Sequence, residues 1–488
     1  MLTLPTYSSL ISELGNFARY KDKRMVRLPR FLTRDVYDSI SPADYRYWDS
    51  DVAKYLSENA FTGYLLQVEL ALVTVLNRRG MAPASAVEQV ERAAKQITTH
   101  QIYQEENRIK HDIRALVNLI RNRLSKKNKP FVHTPATSFD IRDTATAMRF
   151  RDVTIKVVIP ELKKLERFLI ELASREAETV EVGRTHGQHA SPLTFGFFVA
   201  GFVVRLGQSI EKLESLAKEL EGKFSGSVGA YNASSLFFDD PEEFEREILA
   251  ILGLKPAEHS TQIAPPEPMI RLMVEITIAH GILADLSDSL RHLQRTEIGE
   301  VGEPFEEEQV GSSIMPQKRN PIGLENAKSL WKTSVGRLVT VFLDQLSEHQ
   351  RDLTNSASGR TYGESVNYLV VSSKRLSRII AKLEVDQGNM SANLNLQKGL
   401  ILAEPLQIIL AFLGHPDAHE KVRKLTQQAI REGKGMEDIL NQDPELAPYI
   451  ARMSPKQHLV LQDPTLYTGI AKTKTGTIIS NWRKRLSL

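Results

Sequence analysis

The chain has 488 residues, 41% of them apolar and 25% charged, enough to bury a large core in two or three domains. Its 63 basic and 60 acidic residues leave +3, so no general attraction to nucleic acid or an anionic membrane is expected, and any anion site must be local. Without cysteine, disulfides and thiolate metal sites are excluded, which fits a reducing, cytoplasmic setting.

From the N-terminus, MLTLPTYSSLISELG lacks the basic flank and long apolar core of a signal peptide. Residues 1–130 read as a helical, rather polar domain that ends in the basic loop SKKNKP (125–130). A first polar cluster follows, KHD at 110–112 with FVHTPATSFDIRDTA at 131–145. Thr137, Ser138 and Asp140 suit a helix N-cap, and the same geometry points backbone N–H groups at an incoming carboxylate. Apolar residues then recur at three- and four-residue spacing over 154–178 and 192–222. The most apolar run, LTFGFFVAGFVV (193–204), has 12 residues, against the roughly 20 that cross a bilayer, and a soluble protein is expected. Between these helices lies GRTHGQHA (183–190), expected as a loop. His186 and His189 lack a third ligand nearby, so the alternatives are a helix-capping loop or a general acid or base beside Arg184.

A third long helix is expected at 268–296, apolar over more of its girth than a surface helix needs. Gly299, Gly302 and Gly311 then bracket the acidic segment GEPFEEEQV (302–310), which predicts a mobile stretch over 299–313 with Ser312 and Ser313 at its end. Lys318 and Asn320 come directly after, then Pro321. A serine here is either part of a linker and helix cap or a base served by a cationic surround and a closing loop. Further helices are expected at 323–347 and 363–384, completing a central five-helix bundle over 131–384. Between them, QRDLTNSASGR (350–360) separates Arg351 and Arg360 by nine residues, on opposite faces of a straight helix. For both to bind one anion, the helix must break at TNSAS. Residues 385–488 form a C-terminal domain of shorter helices.

Residues 311–321, GSSIMPQKRNP, match the signature GSSxMPxKxNP completely, and the chain resembles the fumarase/aspartase superfamily. RYKDKRM (19–25), KHD, TSFDIRDTATA (137–147), GRTHGQHASPLTFG (183–196), FSGSVGAYNA (224–233), STQI (260–263), QRDLTNS (350–356) and LAEPLQ (402–407) are similar to the adenylosuccinate lyase family within it. That resemblance implies an all-α, three-domain fumarase/aspartase-type fold whose bundles assemble into a tetrameric helical core. It implies elimination of fumarate from a small-molecule nucleotide substrate, with neither metal nor organic cofactor and with active sites shared between subunits. Carried over position by position, Ser312 is the base, His186 protonates the leaving nitrogen, and Glu325 keeps that histidine cationic. Lys318, Asn320, Thr137 and Ser138 hold the carboxylates, with Ser313 beside them. Arg19, Tyr20, Arg351, Ser356 and Arg360 hold the phosphate, with His111, Asp112, His133 and Gln262 lining the pocket. Gln317 departs from the histidine frequent in that family, and Gly359 stands where a bulkier residue is usual. The rival readings are argininosuccinate lyase, another fumarate-releasing member, and a non-catalytic relative of the crystallin kind. The first lacks a use for the anchors RY and RDLTNS, and the last predicts loss of a catalytic residue, none of which is lost.

Overall fold

In the computed structural model, which describes residues 45–488, regular structure is almost entirely helical. The first helices are α1 (Ser50–Leu56), α2 (Glu58–Arg78), α3 (Ala84–Ala94), α4 (Thr99–Ile109) and α5 (Asp112–Asn122). Ser57 divides the first two: its backbone is extended and its hydroxyl accepts the Ala60 amide at 3.2 Å, capping α2. By length and composition alone the run Ser50–Arg78 would span a membrane, but 67% of its most apolar stretch is buried inside the molecule. It is a core element.

Helix α6 (Ser138–Val153) passes through one wider turn, Thr154–Val158, into α7 (Ile159–Arg175). Pro160 accounts for that turn, because it has no N–H to donate and its ring crowds the carbonyl four residues back. Sequence periodicity starts this helix at 154, and the structure starts it at Ser138. The N-cap residues Thr137, Ser138 and Asp140 mark that start, whereas the apolar repeat does not, because the charged face of the earlier half is turned to a cavity. A second difference concerns 183–190. Instead of a loop, β1 (Val180–Thr185) and β2 (Gln188–Thr194) form an antiparallel hairpin that pairs Val180 with Thr194 and Thr185 with Gln188.

Next come α8 (Phe195–Lys218), α9 (Pro241–Leu252), α10 (Glu267–Leu293), α11 (Ile322–Gly336), α12 (Leu338–Leu343) and α13 (Tyr362–Ala381). The long helices α7, α8, α10, α11 and α13 are the expected bundle: α7 packs on α8 and α13, and α10 packs on α8, α11 and α13. The expected helix at 323–347 is divided at Arg337 into α11 and α12. Beyond the bundle lie α14 (Gln387–Asn395), α15 (Ala403–Phe412), α16 (Ala418–Glu432), α17 (Met436–Gln442), α18 (Ala447–Ile450), α19 (Pro455–Gln462) and α20 (Ala471–Leu486). One hydrophobic core runs from Val52 to Met390 and takes in Ile479, Trp482 and Leu486 of α20, while a second joins Leu406 to Met453. The Trp482 indole lies on Gly207 of α8, where any Cβ would collide with it. That contact ties the C-terminal helix to the bundle.

Candidate active site

One face of α6 floors a cavity of about 760 Å³. Thr137, Ser138, Arg142, Thr146 and Arg149 recur along it at helical spacing, so a single helix presents its N-terminal amides and two guanidinium groups to the same space. The N-terminus of α6 is closed by Asp140, whose carboxylate accepts the Thr137 amide at 2.7 Å and also pairs with the fully buried Lys223. The N-cap reading of this segment is therefore realised. Asp112, at the start of α5, pairs with Arg142, and His111 accepts the Arg114 amide at 3.3 Å while remaining half exposed.

The other walls come from far away in sequence. The chain between α12 and α13 is broken over the TNSAS segment, so Arg351 and Arg360 both face the cavity, as does Ser356. Arg351 reaches the Gln262 side chain at 3.2 Å and lies 3.3 Å from the Phe139 ring centre. Gln262 is held in turn by its amide on the Gln350 carbonyl at 3.1 Å. Asp143 of α6 accepts the Ala264 amide at 2.9 Å, and burial pushes its carboxyl up to about 6 against the pull of that bond and of Lys223, Arg142 and Arg351. Arg360 lies against Glu58 at 3.1 Å.

Other expected residues lie outside this lining. His133 is turned away, with Nδ1 2.7 Å from Glu69, a carboxylate with no exposure. His186 sits at the exposed tip of the β1–β2 hairpin; it and Gly187 have φ of 54° and 73°, a two-residue turn of the kind that twists with its strands. Below the tip, Arg184 makes a two-pronged bond to Glu300 at 2.7 and 2.8 Å, and Asn393 adds a third at 2.8 Å. Buried Glu181, near Glu300, has its carboxyl pushed up to about 8 by burial and then by that neighbour.

The expectation that 299–313 is free along its whole length needs correction. Glu300 is fully buried by its three donors, and Val301–Gly302 pairs with Glu384–Val385. Glu303 accepts the amides of Gly323 at 2.9 Å and Leu324 at 3.3 Å, capping α11. Glu300 is buried and Glu303 partly buried because each is met by N–H groups, a compensation that sequence polarity does not reveal. Glu306–Glu308, Val310 and Ser313 remain exposed. Next, Gly311 lies against the Lys318 carbonyl with no room for a Cβ, and Asn320 donates to the Gly311 carbonyl at 2.9 Å, so 311–320 is a closed loop. The Ser312 hydroxyl accepts the Met315 amide at 3.1 Å, while Ser313, Lys318 and Glu325 are exposed.

Thus one chain brings Thr137, Ser138, His111, Asp112, Gln262, Arg351, Ser356 and Arg360 to one cavity, and leaves His186, Ser312, Ser313, Lys318, Asn320, Glu325 and His133 off its lining. Arg19 and Tyr20 lie outside the described residues. Sequence reading passed over Arg142, Asp143, Arg149 and Glu58; the four-residue spacing of Ser138, Arg142 and Thr146 was the available signal.

Residues 43–336 match the family model described as Lyase, and 347–458 the one described as Adenylosuccinate lyase C-terminal. Adenylosuccinate lyase of Pyrococcus abyssi (strain GE5 / Orsay) is 36% identical over 418 residues, 84% of this chain and 92% of that protein. The protein of that name from Archaeoglobus fulgidus is 32% identical, covering 90% and 98%. Among solved structures, 3-carboxy-cis,cis-muconate lactonizing enzyme from Pseudomonas putida superposes with a TM-score of 0.80 at 25% identity, over 93% of this chain and all of that one.

Proposed function

Because the chain belongs to the adenylosuccinate lyase family, we propose that it cleaves the C–N bond of adenylosuccinate to give AMP and fumarate, and that of the succinylated aminoimidazole carboxamide ribonucleotide to give the free carboxamide and fumarate. This places the protein in cytoplasmic purine nucleotide synthesis. The convergence of Thr137, Ser138, Gln262 and Arg351, from three separate segments, on one cavity in a chain of this family carries the reading.

The reaction removes a proton from the carbon beside a carboxylate, and charge builds on that carboxylate as the proton leaves. Donors fixed there lower the barrier most, which suits the amide-rich start of α6 with Thr137 and Ser138, joined by Lys318 and Asn320. Ser312 takes the proton. The electron pair becomes the C=C bond of fumarate, and His186 gives a proton to the departing nitrogen. Glu325 holds the imidazole cationic, and Ser313 lies next to the base. Arg351, Ser356 and Arg360, with Arg19 and Tyr20, take the phosphate, while His111, Asp112, His133 and Gln262 surround the nucleotide.

His186 and Ser312 lie outside the cavity of their own chain, and the active site is completed by neighbouring subunits of a homotetramer. Ile278 (50% exposed) on α10, Val339 (66%) and Phe342 (52%) on α12, and Leu346 (69%) after it support this, being too apolar to be left in water. The test is ultraviolet absorbance on mixing with adenylosuccinate: a change as AMP forms is expected, and none with a folded tetramer overturns the reading.

A further inference from the structure

The cavity contains a guanidinium that the assignments above do not use. Arg149 lines the cavity from the far end of α6, and its Nε is enclosed without a hydrogen-bond partner. Among the described residues no carboxylate lies within ion-pair distance of it. Its guanidinium rests instead 4.3 Å from the Phe61 ring centre and 5.3 Å from that of Phe150. Burial lowers its pKa to about 10, so it stays charged at neutral pH, and Glu58 is the charge that offsets this most. Glu58 also lines the cavity and is the carboxylate that engages Arg360.

We propose that Arg149 and Arg360 form a phosphate-binding subsite, and that Glu58 is a built-in counter-ion which the phosphate of the nucleotide displaces. This rests on the functional reading above and extends it to Arg149 and Glu58, which that reading leaves idle beside Arg360. Ser138 and Arg149 are eleven residues apart on one straight helix, about 16 Å by helical rise, and the arginine side chain leans back toward the N-terminus. The two groups therefore stand a nucleotide's length apart, with a carboxylate site at one end and a cation at the other. The rings of Phe61 and Phe150 hold Arg149 in place and supply no anion, so an incoming dianion meets a charge already stripped of water on one side. Glu58 keeps the pair of arginines from being left uncompensated when the cavity is empty, at the cost of competing with the ligand.

The experiment measures turnover of adenylosuccinate, and competitive inhibition by AMP and by adenosine, in the intact protein and in Arg149→Gln, Arg149→Lys and Glu58→Gln. Arg149→Gln is expected to raise KM and the AMP inhibition constant about tenfold or more while leaving the adenosine constant within about twofold, with Arg149→Lys recovering part of the loss. Glu58→Gln is expected to tighten AMP severalfold without tightening adenosine. Equal effects on AMP and adenosine, or no effect of Arg149→Gln on AMP, overturn the subsite. Should Arg149→Gln fail to fold, Glu58→Gln decides alone: unchanged or weaker AMP binding overturns the proposal. Absence of turnover in the unmodified protein would instead count against the functional reading, whereas AMP binding that depends on Arg149 but not on the adenosine part would still support the subsite.

Discussion

Glu166 lies on α7 with no exposure, and neither carboxylate oxygen has a hydrogen-bond partner. Burial alone pushes its carboxyl up to about 9. Since its pKa is raised in the folded state, it disturbs folding least below about 4.5, its unfolded value, and stability drains away as pH rises toward 9. Glu166→Leu should therefore raise stability at pH 8 by about 1–3 kcal/mol, and by much less at pH 5, as read by urea denaturation at the two pH values. An equal gain at both would show that the carboxyl is not titrating. For the proposed base and acid, Ser312→Ala and His186→Gln should each lower kcat by about 10²–10⁴-fold with little change in melting temperature, because both are on exposed or partly exposed turns rather than in the core.

Among the elements, two devices fix the pieces that carry those residues. Glu303 caps α11 and so sets where the 311–320 loop begins its return. Glu303→Ala should cost about 0.5–2 kcal/mol and speed amide exchange at Gly323 and Leu324, which hydrogen-exchange mass spectrometry resolves. The hairpin bearing His186 is held by the fork of Arg184 on Glu300. Lysine keeps the charge there but not the two parallel bonds, so Arg184→Lys should lower kcat more than it raises KM. Both devices depend on partners far away in sequence, 116 positions in the case of Arg184 and Glu300. The fork is thus absent from any local pattern, and the hairpin was only half legible: Val180, Val182 and Thr185 before the His186–Gly187 tip are β-formers, but the returning strand QHASPLT is not a run of them.

For the molecule as a whole, the prediction concerns assembly. If the proposed tetramer forms, replacing Phe342 and Leu346 by aspartate should break it and abolish turnover together, as measured by light scattering and the adenylosuccinate assay, since a lone chain keeps His186 and Ser312 off the cavity. Mixing Ser312→Ala with His186→Gln under conditions of subunit exchange should restore part of the activity if each site draws on different subunits. No recovery in mixed tetramers would assign the complete site to one chain.

The sequence by itself determined the helical frame, because apolar repeats at three and four residues persist through α7, α8, α10, α11 and α13; the superfamily was legible because Gly311–Pro321 matches its signature loop throughout, and the family because segments such as TSFDIRDTATA and QRDLTNS resemble it. Helix geometry also tied a shared anion site for Arg351 and Arg360 to a break between them. Only tertiary structure decided which carboxylates are buried and met, as with Glu300 and Asp140, and which guanidinium, Arg149, is left facing a cavity. The reason is physical: the period of a helix is written in neighbouring residues, whereas the cost of burying a charge depends on whichever partner the fold brings to it from elsewhere in the chain.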